Sequence, residues 1–370
     1  MLRRLARCWP LAWILALGCG APAGSTTAGP TEFGTDGASS TGTSDGDDTS
    51  ATSDALVPGD DVVFTIVKGA HLQRGEEDDR EVEVTLNLPG ASLDYASIEL
   101  ALALACPGGT ACDKLSRRGA LSVVVDPGAP AAPVVELVRF FTPYGVPGAW
   151  SVDLTDLRPL LRGPTLLRLR IDTEAYLGGP DGDGWLVDAA LVFTGGTPAA
   201  RVLEVTPLWN EELDYGDAPP PAWQAEPIEL SAVPGASRYA LRALVTGHGR
   251  GNSEDCAERC AKEHALGVDG VAELRVIWRD DCATTAIPDQ LGPWTDPRAG
   301  FCPGAIVEPW IVELVGGLEA GSYAYDVEPY ENTCWSWSGS GCSGCVGDAT
   351  CGDGHPAPTI LLSALRIAYE

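Results

Sequence analysis

Apolar and polar residues alternate at a spacing of two along many short stretches of this chain. Val82-Glu-Val-Thr-Leu-Asn-Leu88 is the plainest. Ile98 to Leu104, Leu121 to Val125, Leu166 to Ile171 and Leu186 to Phe193 follow in the first half. Val202 to Val205, Tyr239 to Val245, Leu274 to Trp278, Ile311 to Val315, Ser322 to Val327 and Ile360 to Ile367 follow in the second. Successive side chains of a strand point to opposite faces, so this period predicts β-strands. Clusters of Gly, Pro and Asp separate the stretches, and no convincing run of crossover helices interrupts them. The expected class is therefore an all-β sandwich or barrel rather than a parallel α/β sheet. Thr194-Gly-Gly-Thr-Pro198 is the natural boundary, which gives an N-terminal domain over 61–197 and a C-terminal domain over 198–370. Each half holds about seven or eight strands, the size of one jelly roll.

The pattern is different at the amino end. Arg3, Arg4 and Arg7 precede an apolar stretch from Leu11 to Leu17, then Gly18 and Cys19. A basic start before a short apolar run is the layout of a secretory signal peptide, expected here over 1–18. The run is too short to span a bilayer as a helix. Leu17-Gly18-Cys19 resembles the site at which bacterial lipoproteins are cleaved and acylated, with Ala16 where that pattern prefers Leu. A lipid anchor on Cys19 is expected; ordinary cleavage, with Cys19 left free or removed, is the alternative. Residues 19–60 are rich in Ser, Thr, Gly, Asp and Ala, which cannot bury enough apolar surface to offset the entropy of ordering them. They are expected to form a disordered acidic tether, placing the protein outside the cell or on an outer membrane.

Charge and cysteine content narrow the function. The formal charge is −28, and −31 once Arg3, Arg4 and Arg7 leave with the signal. A chain this acidic repels phosphate backbones, so no nucleic-acid partner is expected. The even count of 12 Cys, in a chain read as exported, points to disulfides. Ser253 to His264 looks helical, with Ser253 as a cap. If Cys256 and Cys260 are bonded, however, the backbone there must be a tight turn. Helix neighbours four apart hold their Cβ atoms ~5–6 Å apart, and a disulfide needs ~3.8 Å. Such a turn would display Glu258 from a rigid knuckle.

Three segments could carry chemistry: Cys106 to Arg117, Ile171-Asp-Thr-Glu174-Ala-Tyr176, and Cys256-Ala-Glu258-Arg-Cys260 taken with Asp296-Pro-Arg298-Ala-Gly-Phe-Cys302-Pro-Gly304. Singly, each has a structural explanation: a hairpin staple, a solvated carboxylate, a surface ion pair. Together with Arg139-Phe-Phe-Thr-Pro-Tyr144, Val152-Asp-Leu-Thr-Asp-Leu157 and Thr246-Gly-His248-Gly, they resemble the peptide-N-glycosidase F family, amidases that remove N-linked glycans from asparagine. The resemblance covers residues 62–370, nearly everything after the tether. It implies two jelly-roll domains side by side, an active site in the cleft between them, and N-linked glycan or glycopeptide as substrate. No cofactor or metal is implied, a monomer is expected, and any membrane contact would be through the lipid anchor.

The resemblance also implies the pairings Cys106–Cys112, Cys256–Cys260 and Cys282–Cys302. It assigns Glu258 and Glu174 to the catalytic group and Arg117, Arg298 and Tyr176 to substrate binding. His248 stands where the family has a cleft-facing Trp. Ser116 stands where the family has its catalytic Asp, and Leu115 where it has Trp; Asp113 matches a second, non-catalytic Asp. A Ser116 nucleophile would need an adjacent base, for which His248 is the candidate. Cys334, Cys342, Cys345 and Cys351 lie in or just after a Trp-rich insertion at about 331–355 that has no family counterpart. They allow three disulfide connectivities or, with His355, a zinc site; two disulfides are expected.

Three functions follow for comparison. The first is a glycan-releasing amidase. The second is a non-catalytic protein that binds glycan or glycoprotein at the cell surface, suggested by Ser116, Leu115, Trp335 and Trp337. The third is a copper monooxygenase on two jelly rolls, which needs clustered His and a Met. The four His are scattered and the only Met is Met1, which excludes it.

Overall fold

A computed structural model describes residues 60–75, 78–109, 112–129, 132–216, 220–250, 256–315, 318–330 and 357–370. The signal, the tether, Cys19, Cys334, Cys342, Cys345, Cys351, His355, Trp335 and Trp337 lie outside them. The strands before residue 200 are β1 (Val62–Arg74), β2 (Asp78–Asp79), β3 (Glu81–Leu88), β4 (Tyr95–Ala105), β5 (Arg118–Val124), β6 (Val134–Phe141), β7 (Gly148–Asp153), β8 (Gly163–Ile171) and β9 (Trp185–Gly195). After it come β10 (Val202–Asp214), β11 (Ile228–Leu230), β12 (Arg238–His248), β13 (Glu263–Val268), β14 (Val271–Val276), β15 (Trp310–Leu314), β16 (Gly321–Val327) and β17 (Thr359–Tyr369). The α-helices among the described residues, Pro221–Gln224 and Cys282–Thr285, have 4 residues each.

The two halves share one topology. The sheets are β2-β1-β9-β4-β7 with β3-β8-β5-β6, and β10-β17-β12-β15 with β11-β16-β13-β14. With the two-residue β2 set aside, the strands of each half can be renumbered one to eight. Both halves then read 1-8-3-6 facing 2-7-4-5, the strand order of a jelly roll. The chain is therefore two β-sandwiches in sequence.

Burial along each strand shows which faces meet. Strand β3 has the alternation of a strand with one wet face. Strands β6, β12 and β17 are buried almost throughout, because one face of each fills its own core and the other meets the opposite sandwich. On β12, Leu241, Ala243 and Val245 belong to the C-terminal core, whereas Ala240 packs with the N-terminal core and Leu244 with Phe141. The free edge of β6 is covered by the other half. Phe141 N–H donates to Ala305 O (2.9 Å), Gly304 N–H to Phe141 O (3.0 Å), and Val307 N–H to Arg139 O (2.8 Å).

Three disulfides form among the described residues, with Cα separations of 4.3 Å for Cys106–Cys112, 4.9 Å for Cys256–Cys260 and 5.3 Å for Cys282–Cys302. From Cys256 to Cys260 the backbone is a turn, not the helix its composition suggests.

Candidate functional site

The N-terminal part of the site is the segment after the Cys106–Cys112 staple. The side chain of Asp113 is fully buried and its carboxylate is fully used. Its Oδ1 accepts the Leu115 N–H (2.8 Å); its Oδ2 accepts Thr173 Oγ1–H (2.5 Å) and Arg117 Nε–H (3.0 Å). The Arg117 N–H donates to Thr142 Oγ1 (2.8 Å), tying the loop to the end of β6. Gly182 lets the 172–184 loop close over this segment, since a Cβ there would lie 2.1 Å from Cys112 O. The Ser116 hydroxyl is sealed from solvent and has no hydrogen-bond partner among the described residues.

Glu174, half-exposed beside Thr173, is bridged by two arginines: Arg74 Nη1 at 2.7 Å and Arg80 Nη1 at 2.8 Å. Tyr176 is exposed on the following turn.

The C-terminal part is built on the disulfide knuckle. The Glu258 N–H donates to Gly249 O (3.1 Å) and the Ala299 N–H to Glu258 O (2.9 Å), which seats the knuckle between the end of β12 and the 296–302 segment. Gly247 makes that seat possible, because a Cβ there would lie 2.3 Å from Ala257 O. The buried Arg298 donates from Nε to Glu258 Oε1 (3.0 Å). Its Nη groups donate to Asp296 O (2.9 Å), to Pro293 O (3.2 Å) and to Tyr144 Oη (3.3 Å). Oε2 of Glu258 has no bond to a described residue, and the side chain is 22 % exposed. The Tyr144 contact joins the two parts across the interface, because Gly145 N–H in turn donates to Asp113 O (2.9 Å).

His248 sits at the end of β12. Its ring stacks on Phe141 (5.5 Å) and Phe301 (5.1 Å). Behind it runs a buried polar chain. Glu136 Oε2 and Oε1 accept from Arg139 Nη2 (2.6 Å) and Nε (3.0 Å). Arg139 Nη1 donates to Leu361 O (2.9 Å) and to Thr246 Oγ1 (2.8 Å), and Thr246 Oγ1 lies 2.8 Å from His248 Nε2. Arginine has only donors, so Thr246 Oγ1 accepts from Arg139 and keeps its own proton available for Nε2. Burial, and then the charges of Arg139 and Arg118, push His248 down to about 3, so it is neutral at pH 7. Burial raises Glu136, but Arg139 outweighs it and holds that carboxyl below its ordinary value.

The geometry therefore brings together Arg117, Glu258, Arg298 and, through Phe301, His248. It does not bond Ser116 to His248: the Ser116 hydroxyl has no partner among the described residues, and His248 Nε2 is bonded to Thr246. Among the described residues no cluster of three or more His, Cys, Asp or Glu could hold a metal ion. No helix among them is long and apolar enough to cross a membrane.

Residues 221–334 match the family model for the C-terminal domain of peptide-N-glycosidase F. Peptide-N(4)-(N-acetyl-beta-D-glucosaminyl)asparagine amidase F of Elizabethkingia miricola is 27 % identical over 299 residues, 76 % of this chain and 78 % of the relative. The fold is similar to that of PNGase F, a glycosylasparaginase from Flavobacterium meningosepticum. The TM-score is 0.65 at 20 % identity, over 84 % of this chain and 96 % of that one. It is also similar to PNGF-II, with a TM-score of 0.62 at 17 % identity over 84 % and 65 % of the two chains. The chain is peptide-N-glycosidase F-like.

Several residues of the candidate site escape a reading by motif. Thr142 and Tyr144 lie inside the Arg139 to Tyr144 motif, which marks the fold without showing what they touch. Thr173, Arg74 and Arg80 leave no local signal. Glu136 and Arg139 do leave one: two charges inside the otherwise apolar run of β6 belong either to a solvated edge or to a buried pair, and here they are a pair.

Proposed function

We propose that the cleft receives an N-glycosylated asparagine and hydrolyses the amide that joins it to the glycan, with Glu258 as the base. The observation that carries this reading is Glu258: it is partly open, held on a disulfide knuckle, and keeps one carboxylate oxygen without a partner among the described residues while Arg298 holds the other. Glu258 takes a proton from water as the water oxygen bonds to the asparagine carbonyl carbon, donors hold the developing oxyanion, and as the C–N bond breaks the proton passes from Glu258 to the departing glycosylamine nitrogen. Arg117, whose Nη groups bond to no described residue, supplies the donors, while Arg298, buried and with its own donors taken, holds Glu258 in place. Ser116 contributes no nucleophile in this scheme, because its hydroxyl has no base beside it. The resemblance implies a second carboxylate at position 116; without it turnover is slow, and the roughly 10²–10⁴-fold that a general base contributes rests on Glu258 alone.

A second reading, a glycan-binding protein without turnover, is favoured by the complete use of Asp113 and by the missing acid at 116. The deciding experiment incubates the oxidised chain with an N-glycopeptide and follows, by mass spectrometry, conversion of Asn to Asp with release of glycan. The natural chain is expected to cleave slowly, and Ser116→Asp faster. Cleavage by the variant alone supports the binding reading; cleavage by neither overturns the glycopeptide assignment. Export belongs to the same proposal: three disulfides suit an oxidising compartment. Mass analysis of the mature amino terminus would distinguish acylation at Cys19 from ordinary cleavage.

A further inference from the structure

His248 is neither a base nor a mere filler of the cleft. Its Nε2 lies 2.8 Å from the Thr246 hydroxyl, which accepts from Arg139, itself paired with Glu136 of the other sandwich. The half-buried ring leaves Nδ1 without a partner among the described residues. It is also next to the Gly249 carbonyl that anchors Glu258. A neutral group with one fixed N–H selects an acceptor oxygen and gains nothing from a cation or a donor.

We propose that His248 donates Nδ1–H to a carbonyl oxygen of the N-acetylglucosaminyl-asparagine unit, and that the chain Glu136–Arg139–Thr246 acts as a positioning device that fixes this tautomer across the domain interface. The proposal rests on the glycopeptide reading above. It makes specificity depend on residues of both sandwiches, most of which never touch the ligand.

The test is nitrogen NMR on the full chain labelled at His and Arg, with His248→Gln assigning the ring. At pH 7 in the free protein, Nδ1 is expected in its protonated position and Nε2 in its unprotonated one. Thr246→Ser keeps that pattern and Thr246→Val turns it into a tautomer mixture. Adding a peptide that carries one N-acetylglucosaminyl-asparagine should move both the His248 Nδ1 and the Arg298 Nε signals. His248→Phe, which keeps the stacked ring, should weaken that binding by about tenfold, the net effect of one hydrogen bond. An unprotonated Nδ1 in the free protein overturns the proposal even if Thr246→Val fails to fold. So does movement of Arg298 without movement of His248. If neither moves, the glycopeptide reading falls first and takes this ligand with it.

Discussion

The two parts of the candidate site each hold a carboxylate paired with an arginine, and they use them in opposite ways. Asp113 on the N-terminal side has no exposed surface, and both its oxygens are taken by Leu115, Thr173 and Arg117. Glu258 on the C-terminal side gives one oxygen to Arg298 and keeps the other. An acid with every lone pair committed holds a loop in shape, and one with a free oxygen can take a proton from water. Acidic residues beside paired cysteines therefore do not advertise their role by type. What separates them is how many donors already point at them.

That contrast can be broken in either part. The largest effect is expected from Glu258→Gln. It keeps an acceptor for Arg298 but removes the base, so turnover of an N-glycopeptide by the folded variant should fall by at least about 10²-fold, with some loss of stability because the buried Arg298 loses its counter-charge. Undiminished turnover would move the chemistry elsewhere. Asp113→Ala should do the reverse, costing about 3 kcal/mol or more in urea unfolding because Arg117 and Thr173 lose their buried partner. A variant as stable as the natural chain would show that Asp113 is not the loop's anchor.

Acid should sharpen the comparison by a few kcal/mol. Burial holds both His264 and His248 near 3, far below the ordinary 6.5, so both are uncharged in the fold. The unfolded chain takes up their protons below about pH 6.5, so stability is complete above that value and is lost as pH falls toward 3. His264, sealed in the C-terminal sandwich and bonded to Tyr325 Oη (2.6 Å), should give the larger share. Urea midpoints at pH 7, 5.5 and 4.5 should decline, with a shallower slope in His264→Gln. The smallest effect is expected at Glu174, whose pairs with Arg74 and Arg80 are on the surface. Glu174→Gln should cost under about 1 kcal/mol. A loss of turnover in that variant without a loss of stability would place Glu174 against the substrate.

Strands with one wet face were readable from alternation, as β3 and β9 show. Strand β6 was not, although β12 and β17, equally buried on both faces, were; β6 carries Glu136 and Arg139 inside its apolar run, and β1 is broken by two register shifts. Glu258 and Arg298 could be picked out as motif residues, but their mutual bond depends on how residues 40 apart are folded together. The partners of Glu174 lie 100 and 94 residues away, and the sealing of Ser116 depends on packing. Local pattern carries local geometry, whereas the state of each functional group is set by chain that arrives from elsewhere.

The main-chain bonds between β6 and residues 304–307 have a consequence for biogenesis. The N-terminal sandwich is synthesised first, and until residue 307 emerges the outer edge of β6 has no partner. An unpaired apolar edge is a template for pairing with another chain. The covering segment follows directly on Cys302, whose bond to Cys282 gathers the loop behind it. Oxidation of one cysteine pair in the second half thus protects the first half from aggregation, and the folding yield of the whole chain should depend on how quickly that bond closes.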